Sequence, residues 1–142
     1  MENKINLNRA LLGGLVAGIV MDFVGAIVHM AILKSYYLYF RGMGSVLNQP
    51  RLMAVQILLT VLSGIPVAFL YAFARKQIGP GPKCAVIVGC LVGLMSAPYA
   101  MAEYSYYNMG RMIPAMTFVD YFVAAIAGAF IAGMMYKDKA AA

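Results

Sequence analysis

The sequence predicts an all-α integral membrane protein, a bundle of four transmembrane helices with both termini on the cytoplasmic side. Of its 142 residues, 63% are hydrophobic and only 11% are charged, an apolar excess beyond that of soluble domains. The apolar residues also lie in four long runs, each close to the roughly 20 residues that cross a hydrocarbon core. We therefore predict one membrane domain over residues 1–142, surrounded by a lipid bilayer.

The four spans are predicted at about residues 10–33, 52–74, 84–102 and 114–136. The first run is longer than the apolar region of a signal peptide and has no small-residue cleavage site after it, so we expect it to be retained. Pro114 suits the first turn of a helix, whereas Pro66 and Pro98 fall inside spans two and three and predict kinks there. The prolines and glycines of residues 79–82 predict a tight turn between these two spans.

Basic residues next to the apolar runs predict the orientation of the chain in the membrane. Seven lie on one side (Lys4, Arg9, Arg75, Lys76, Lys83, Lys137, Lys139) and four on the other (Lys34, Arg41, Arg51, Arg111). The side with seven is predicted to be cytoplasmic. The net charge of +6 is spread over the ends of the spans without a basic patch, so nucleic acid is not a predicted partner.

Each predicted span carries small residues at spacings of three and four, which place them on one helix face. Helices in lipid associate by close packing at such faces. The faces are therefore predicted to form either the seam of the bundle or an interface between subunits. The helix-packing residues are predicted to be Gly14, Gly18, Gly25, Gly89, Gly93, Ala124 and Gly128.

Four ionisable residues within or at the ends of the spans, Asp22, His29, Glu103 and Asp120, form a candidate intramembrane polar site. A carboxylate near the middle of a membrane costs about 2.5–3.5 kcal/mol, so both aspartates are expected to point into the bundle. Two interpretations remain open. The acids hydrogen-bond neighbouring groups and fix helix register, or they line a path for protons or cations.

Few motifs of known chemistry occur in the sequence. It lacks a nucleophile elbow, a phosphate-binding loop and a pair of histidines at metal-ligand spacing, so no catalytic residue and no metal ligand is predicted. The one histidine excludes bis-histidine haem ligation within a single chain. No cofactor is predicted, and a haem at a His29 site shared by two copies is the option that remains.

The segment Tyr71 to Lys83, with the turn Gly79-Pro80-Gly81-Pro82, resembles the central turn of a family of small, uncharacterised four-helix bacterial inner-membrane proteins, as does the stretch from Gly14 to Asp22. The resemblance implies a location in the bacterial inner membrane. It implies no activity, because the family has none established.

We predict a non-enzymatic small membrane protein that self-associates or serves as an accessory subunit of a larger membrane complex, because almost all of its mass lies within or against the bilayer. Its predicted partners are lipid and other membrane subunits or a copy of itself. The alternative is a small proton- or cation-coupled transporter or channel that acts as an oligomer. Four spans are few for a carrier that works as a single chain.

Overall fold

The computed structural model describes residues 5–40, 50–106 and 112–137. These form five helices: α1 Leu7–Phe40, α2 Pro50–Ile78, α3 Pro82–Met95, α4 Ala97–Tyr106 and α5 Met112–Met135. Within the described ranges, four stretches are long and apolar enough to cross a membrane: Leu7–Val28, Met53–Ile78, Pro82–Ala102 and Ile113–Met135. The predicted all-α membrane fold with four spans is confirmed.

Local chemistry explains where several helices begin and end. The Asn6 side-chain oxygen accepts a hydrogen bond from the Arg9 amide at 3.3 Å, as a helix N-cap does. The turn after α2 contains Gly79 and Gly81 with φ of 91° and 123°, a conformation that glycine adopts without strain. Pro82 then occupies the first turn of α3, where a missing N–H costs nothing.

The third span consists of two helices, because α3 ends at Met95 and α4 begins at Ala97. The Ser96 amide donates to the carbonyl oxygens of Gly93 and Leu94, and its hydroxyl donates to the Gly93 oxygen at 2.5 Å. Pro98, in the first turn of α4, has no N–H to continue the ladder. The predicted kink of span three takes the form of this break, whereas α2 continues as one helix through Pro66.

The helices follow one another around the bundle in the order α1, α2, α3, α5. Helix α1 packs along both α2 and α5, and α3 packs mainly along α5. Helices α2 and α5 also meet across the middle, whereas α1 and α3 make no contact in the described part of the chain. The turn therefore joins α2 to α3, but each of them packs more extensively on another helix.

Buried side chains concentrate toward one end of the bundle, which we call the inner end because it carries Leu7, Ile78 and Met135; the outer end is opposite. The core of this half is built mainly from small residues and two tyrosines: Val67, Tyr71, Ala72, Cys84, Ala85, Val88, Ala129, Ala132 and Tyr136. Only 28–33% of each span is buried within the chain. The remaining apolar surface is what lipid or another helix covers.

Glycines allow α1 and α2 to approach closely. A Cβ added to Gly14 would lie 2.6 Å from Ile65 Cα, and one added to Gly64 would lie 2.6 Å from Gly18 Cα. Both distances are to backbone atoms, which side-chain rotation does not relieve. Glycines four apart on one helix, packed on a small residue of the next, are typical of close helix pairs in lipid.

Glycines also allow close packing on two sides of helix α5. Toward α3, a Cβ on Gly89 would lie 2.6 Å from Ile126 Cα, and one on Gly93 would lie 3.0 Å from Phe122 Cα. Toward α1, Gly128 leaves space that the Met21 side chain fills. Ala124, four residues before Gly128, is also buried. The small-residue faces thus lie between helices of one chain.

Candidate intramembrane polar site

Asp120 lies inside the bundle where α5 meets α1. Asp120 and Thr117 are three residues apart on α5, so they share a face, and each is only 8% exposed. Opposite them is Gly25 of α1, where an added Cβ would lie 3.0 Å from Asp120 Oδ1. The absence of a side chain at position 25 therefore leaves room for the carboxyl group between the two helices.

The structure places Asp22 and His29 on α1, on either side of Gly25 along the helix. At a rise of about 1.5 Å per residue, they are offset along the axis by roughly 4.5 Å and 6 Å. Asp22 is partly buried. Glu103 is in α4, but the side chains of His29 and Glu103 lie outside the described part of the structure. The predicted four-residue site is therefore described only for its two aspartates.

The break in the third span lies at the depth of Asp120. Gly89 packs on Ile126 and Gly93 on Phe122, and the same antiparallel register places Ser96 level with residues 119 and 120. The Ser96 backbone keeps right-handed helical angles, with φ of −76° and ψ of −17°, so the junction is a local kink beside Pro98. A buried carboxyl group and a kinked helix thus occur at the same depth in the outer half of the bundle.

The described residues give little support for a metal site. They contain no group of three His, Cys, Asp or Glu side chains placed to hold an ion. The Asp120 carboxyl and the Thr117 hydroxyl supply oxygen atoms, but Ca²⁺ takes six to eight oxygen ligands. Cys84 and Cys90 are both free thiols. The haem hypothesis rests on His29, whose side chain is outside the described residues.

A polar network joins three parts of the chain at the inner end. The Tyr71 hydroxyl accepts a hydrogen bond from the Gly81 amide, and the Tyr136 hydroxyl accepts one from the Asn6 amide, each at 3.1 Å. Arg75 Nη1 donates to the Tyr136 carbonyl oxygen at 3.2 Å, with its guanidinium 5.1 Å from the centre of the Tyr136 ring. The pattern of acids and glycines in the sequence gives no sign of this network.

We expect Arg75→Lys to lower the free energy of unfolding by about 1 kcal/mol, because an ammonium group does not reproduce both the ring stacking and the directed hydrogen bond. Thermal unfolding in detergent measures the change. Lys76→Arg is the matched control, since Lys76 is the exposed next residue and keeps its charge. Equal midpoints for the two variants would show that the guanidinium geometry contributes nothing.

Gln56, like the residues of this network, is a polar residue that the pattern of charges in the sequence does not indicate as functional. Every residue from Met53 to Leu59 is exposed, and seven consecutive helical residues at about 100° intervals cover all directions around the axis. Exposed side-chain surface therefore remains on every side of this part of α2. Among the described residues, the Gln56 side-chain amide has no hydrogen-bond partner; it is the backbone carbonyl oxygen of Gln56 that accepts the Thr60 hydroxyl, at 3.0 Å.

The fold and composition define a small integral membrane protein with four spans. No family model, curated protein or solved structure matches the chain. The resemblance to uncharacterised inner-membrane proteins therefore stays a prediction.

Proposed function

We propose that this protein is a non-enzymatic membrane subunit that acts by helix association, and that it associates with a second copy of itself. The observation that carries this proposal is the exposed Gln56 on the outer half of α2. The location that we propose is the bacterial inner membrane. The oligomer is the functional form, and a larger complex is built on it where other subunits are present.

Depth is the first argument for a partner at Gln56. Gly18, near the middle of the span Leu7–Val28, packs against Val61. Gln56 is five residues from Val61, or about 8 Å along the helix, and the hydrocarbon half-thickness is about 15 Å. Gln56 also lies three residues inside the outer end of the span Met53–Ile78, so the amide is in the outer part of the hydrocarbon, where an unsatisfied polar group carries a free-energy cost.

Self-complementarity is the argument for a second copy as the partner. A glutamine amide both donates and accepts hydrogen bonds, so two Gln56 side chains related by a two-fold axis satisfy each other. The surrounding side chains are apolar and free to pack, since Met53 is 46% exposed and Leu59 is 61% exposed. The glycine faces are occupied within the chain and are not needed for this contact.

Disulfide crosslinking in native membranes tests the proposal in a background of Cys84→Ala and Cys90→Ala. Leu59 lies about 60° around the helix from Gln56, whereas Leu58 lies about 200° away; their exposures are similar at 61% and 56%. We expect Leu59→Cys to form crosslinked dimers and Leu58→Cys to form few. Equal yields at the two positions, or none at either, would reject a specific dimer through this face.

The contribution of the amide itself is measured separately by Gln56→Leu. Interhelical hydrogen bonds in membranes are worth about 0.6–2 kcal/mol, so we expect dimer dissociation constants in lipid to rise roughly threefold to thirtyfold. Energy transfer between labelled copies diluted into increasing lipid gives this constant. Thr60→Val is the control, because the Thr60 hydroxyl already bonds within α2. An unchanged constant for Gln56→Leu would contradict the glutamine pair.

A further inference from the structure

An open cleft of about 490 Å³ lies at the inner end of the bundle, where α1 begins and α5 ends. We call it the inner cleft, and it is lined by Asn6, Asn8, Arg9, Leu12, Gly13 and Met135. We infer that it binds an anionic phospholipid, with the lipid phosphate at Arg9 and the upper part of an acyl chain along Leu12. Gln56 is near the other end of the bundle, so the inference is independent of self-association.

The polar and apolar groups of the inner cleft follow the order of the parts of a phospholipid. Asn8 and Arg9 are the second and third residues of the span that begins at Leu7, so their side chains reach the level of the headgroups. Leu12 is four residues after Asn8 and three after Arg9, so the three share a face of α1. Leu12 is roughly 4.5–6 Å deeper and 61% exposed. Polar groups thus lie toward water, with apolar surface beneath them.

Side chains, not the backbone, supply the contacts to the lipid phosphate. The Arg9 amide already donates to the Asn6 side chain, and the Asn6 amide donates to the Tyr136 hydroxyl. The Arg9 and Asn8 side chains are exposed. A guanidinium forms two parallel hydrogen bonds with phosphate oxygens, and the Asn8 amide is a further donor. The inner cleft therefore offers the donors that recognise a phosphodiester.

Charge at the inner end favours an anionic lipid over a neutral one. The sequence places seven basic residues on this side against two acidic ones, Glu2 and Asp138. Basic pockets between transmembrane helices bind anionic headgroups. Among the described basic residues, Arg9 alone lines the inner cleft, whereas the Arg75 guanidinium contacts Tyr136. General attraction to the surface is therefore combined with one specific position for a phosphate.

The apolar part of the inner cleft favours a lipid over a soluble phosphate. Its volume is within the range of roughly 300–1,000 Å³ that is typical of ligand sites. Gly13 and Met135 close its deeper end, because a Cβ added to Gly13 would lie 3.3 Å from Met135 Cβ. A soluble phosphate contacts only the polar side chains. A phospholipid also covers Leu12, and burial of this apolar surface adds to its affinity.

Tryptophan fluorescence in lipid nanodiscs tests the inference, because the chain contains no tryptophan and brominated acyl chains quench a tryptophan that they contact. Leu12→Trp reports on the inner cleft. Phe73→Trp is the matched control: Phe73 is 57% exposed and five residues from Ile78, as Leu12 is from Leu7.

We expect brominated phosphatidylglycerol to bind at position 12 about fivefold more strongly than brominated phosphatidylcholine. At position 73 we expect nearly equal binding of the two lipids. Equal preferences at the two positions would show that the surface charge of the inner end acts alone, and would overturn the site.

Arg9→Gln separates the proposed site from general surface charge. Lys83→Gln is the matched control, since it removes one charge from an exposed residue of α3, a helix that makes no contact with α1 in the described part of the chain. We expect Arg9→Gln to weaken phosphatidylglycerol binding about fivefold and Lys83→Gln less than about twofold. Equal losses would contradict the role of Arg9. Native mass spectrometry of retained phosphatidylglycerol repeats the comparison in chains without tryptophan.

Soluble glycerol phosphate distinguishes a lipid site from a site for a free phosphate. It carries the anionic group of phosphatidylglycerol without its acyl chains. We expect an excess of it to leave the quenching at Leu12→Trp unchanged, because it cannot cover the apolar part of the inner cleft. Displacement of the brominated lipid by glycerol phosphate at constant ionic strength would identify a soluble anion as the ligand and would overturn the assignment to lipid.

Discussion

Gly18→Ala is expected to destabilise the folded bundle by about 3 kcal/mol or more. The new Cβ would clash with the backbone of Val61. Because helix backbones move only as whole units, relief requires α1 and α2 to separate along their shared face. Overpacking costs about 1–3 kcal/mol where side chains absorb it, and more where they do not.

The buried thiol of Cys84 offers a direct readout. Cys84 is fully buried, so in a Cys90→Ala background its alkylation reports unfolding as denaturing detergent is added. Gly13→Ala is the matched control, because its methyl group meets a flexible Met135 side chain. We expect it to change stability by about 1 kcal/mol or less. Coincident unfolding curves for Gly18→Ala and Gly13→Ala would refute the close α1–α2 approach.

Tyr71→Ala is expected to destabilise the protein by about 3–5 kcal/mol, the range for removing a buried aromatic side chain. The Tyr71 ring is 2% exposed and packs so closely on Gly133 that an added Cβ there would lie 2.8 Å from it. Its hydroxyl also bonds the Gly81 amide in the turn. Loss of the ring therefore removes packing between α2 and α5 and a hydrogen bond to the turn.

Two further variants separate these contributions. Tyr71→Phe keeps the ring and should cost only about 1 kcal/mol for the lost hydrogen bond. Phe73→Ala removes a ring of similar size from the same helix. Because Phe73 is 57% exposed and points outward from the bundle, the loss in free energy of unfolding should be small. Unfolding followed through Cys84 ranks all three. A cost for Phe73→Ala as large as that for Tyr71→Ala would contradict the assigned core.

The sequence alone predicts the number and approximate position of the spans, because length and hydropathy determine membrane insertion with little help from tertiary structure. The tight turn is equally local, since Gly79 and Gly81 both adopt positive φ. Pro98 marked the region where span three is interrupted. It did not fix the break at Ser96, which depends on hydrogen bonds to Gly93 and Leu94.

The choice of helix partners was not predictable in the same way. The spacing of Gly14 and Gly18 identifies a packing face, but it does not say that Gly64 of α2 meets it. Likewise, an aspartate in an apolar span predicts an inward orientation without naming Gly25 as its neighbour. Tyr71, Tyr136 and Gln56 have no distinctive spacing, and only the packing of the helices separates the two buried tyrosines from the exposed glutamine.

The position of α1 between α2 and α5 has a consequence for biogenesis. The helix that covers Gly25, α5, leaves the ribosome after α2, α3 and α4, so α1 stays in the bilayer with that side uncovered until then. Asp120, on α5, therefore reaches its place beside a helix that was synthesised before it. A nascent chain halted ahead of Met112 would therefore contain two native helix contacts, α1 with α2 and α2 with α3. It would lack α5, which packs on all three of these helices.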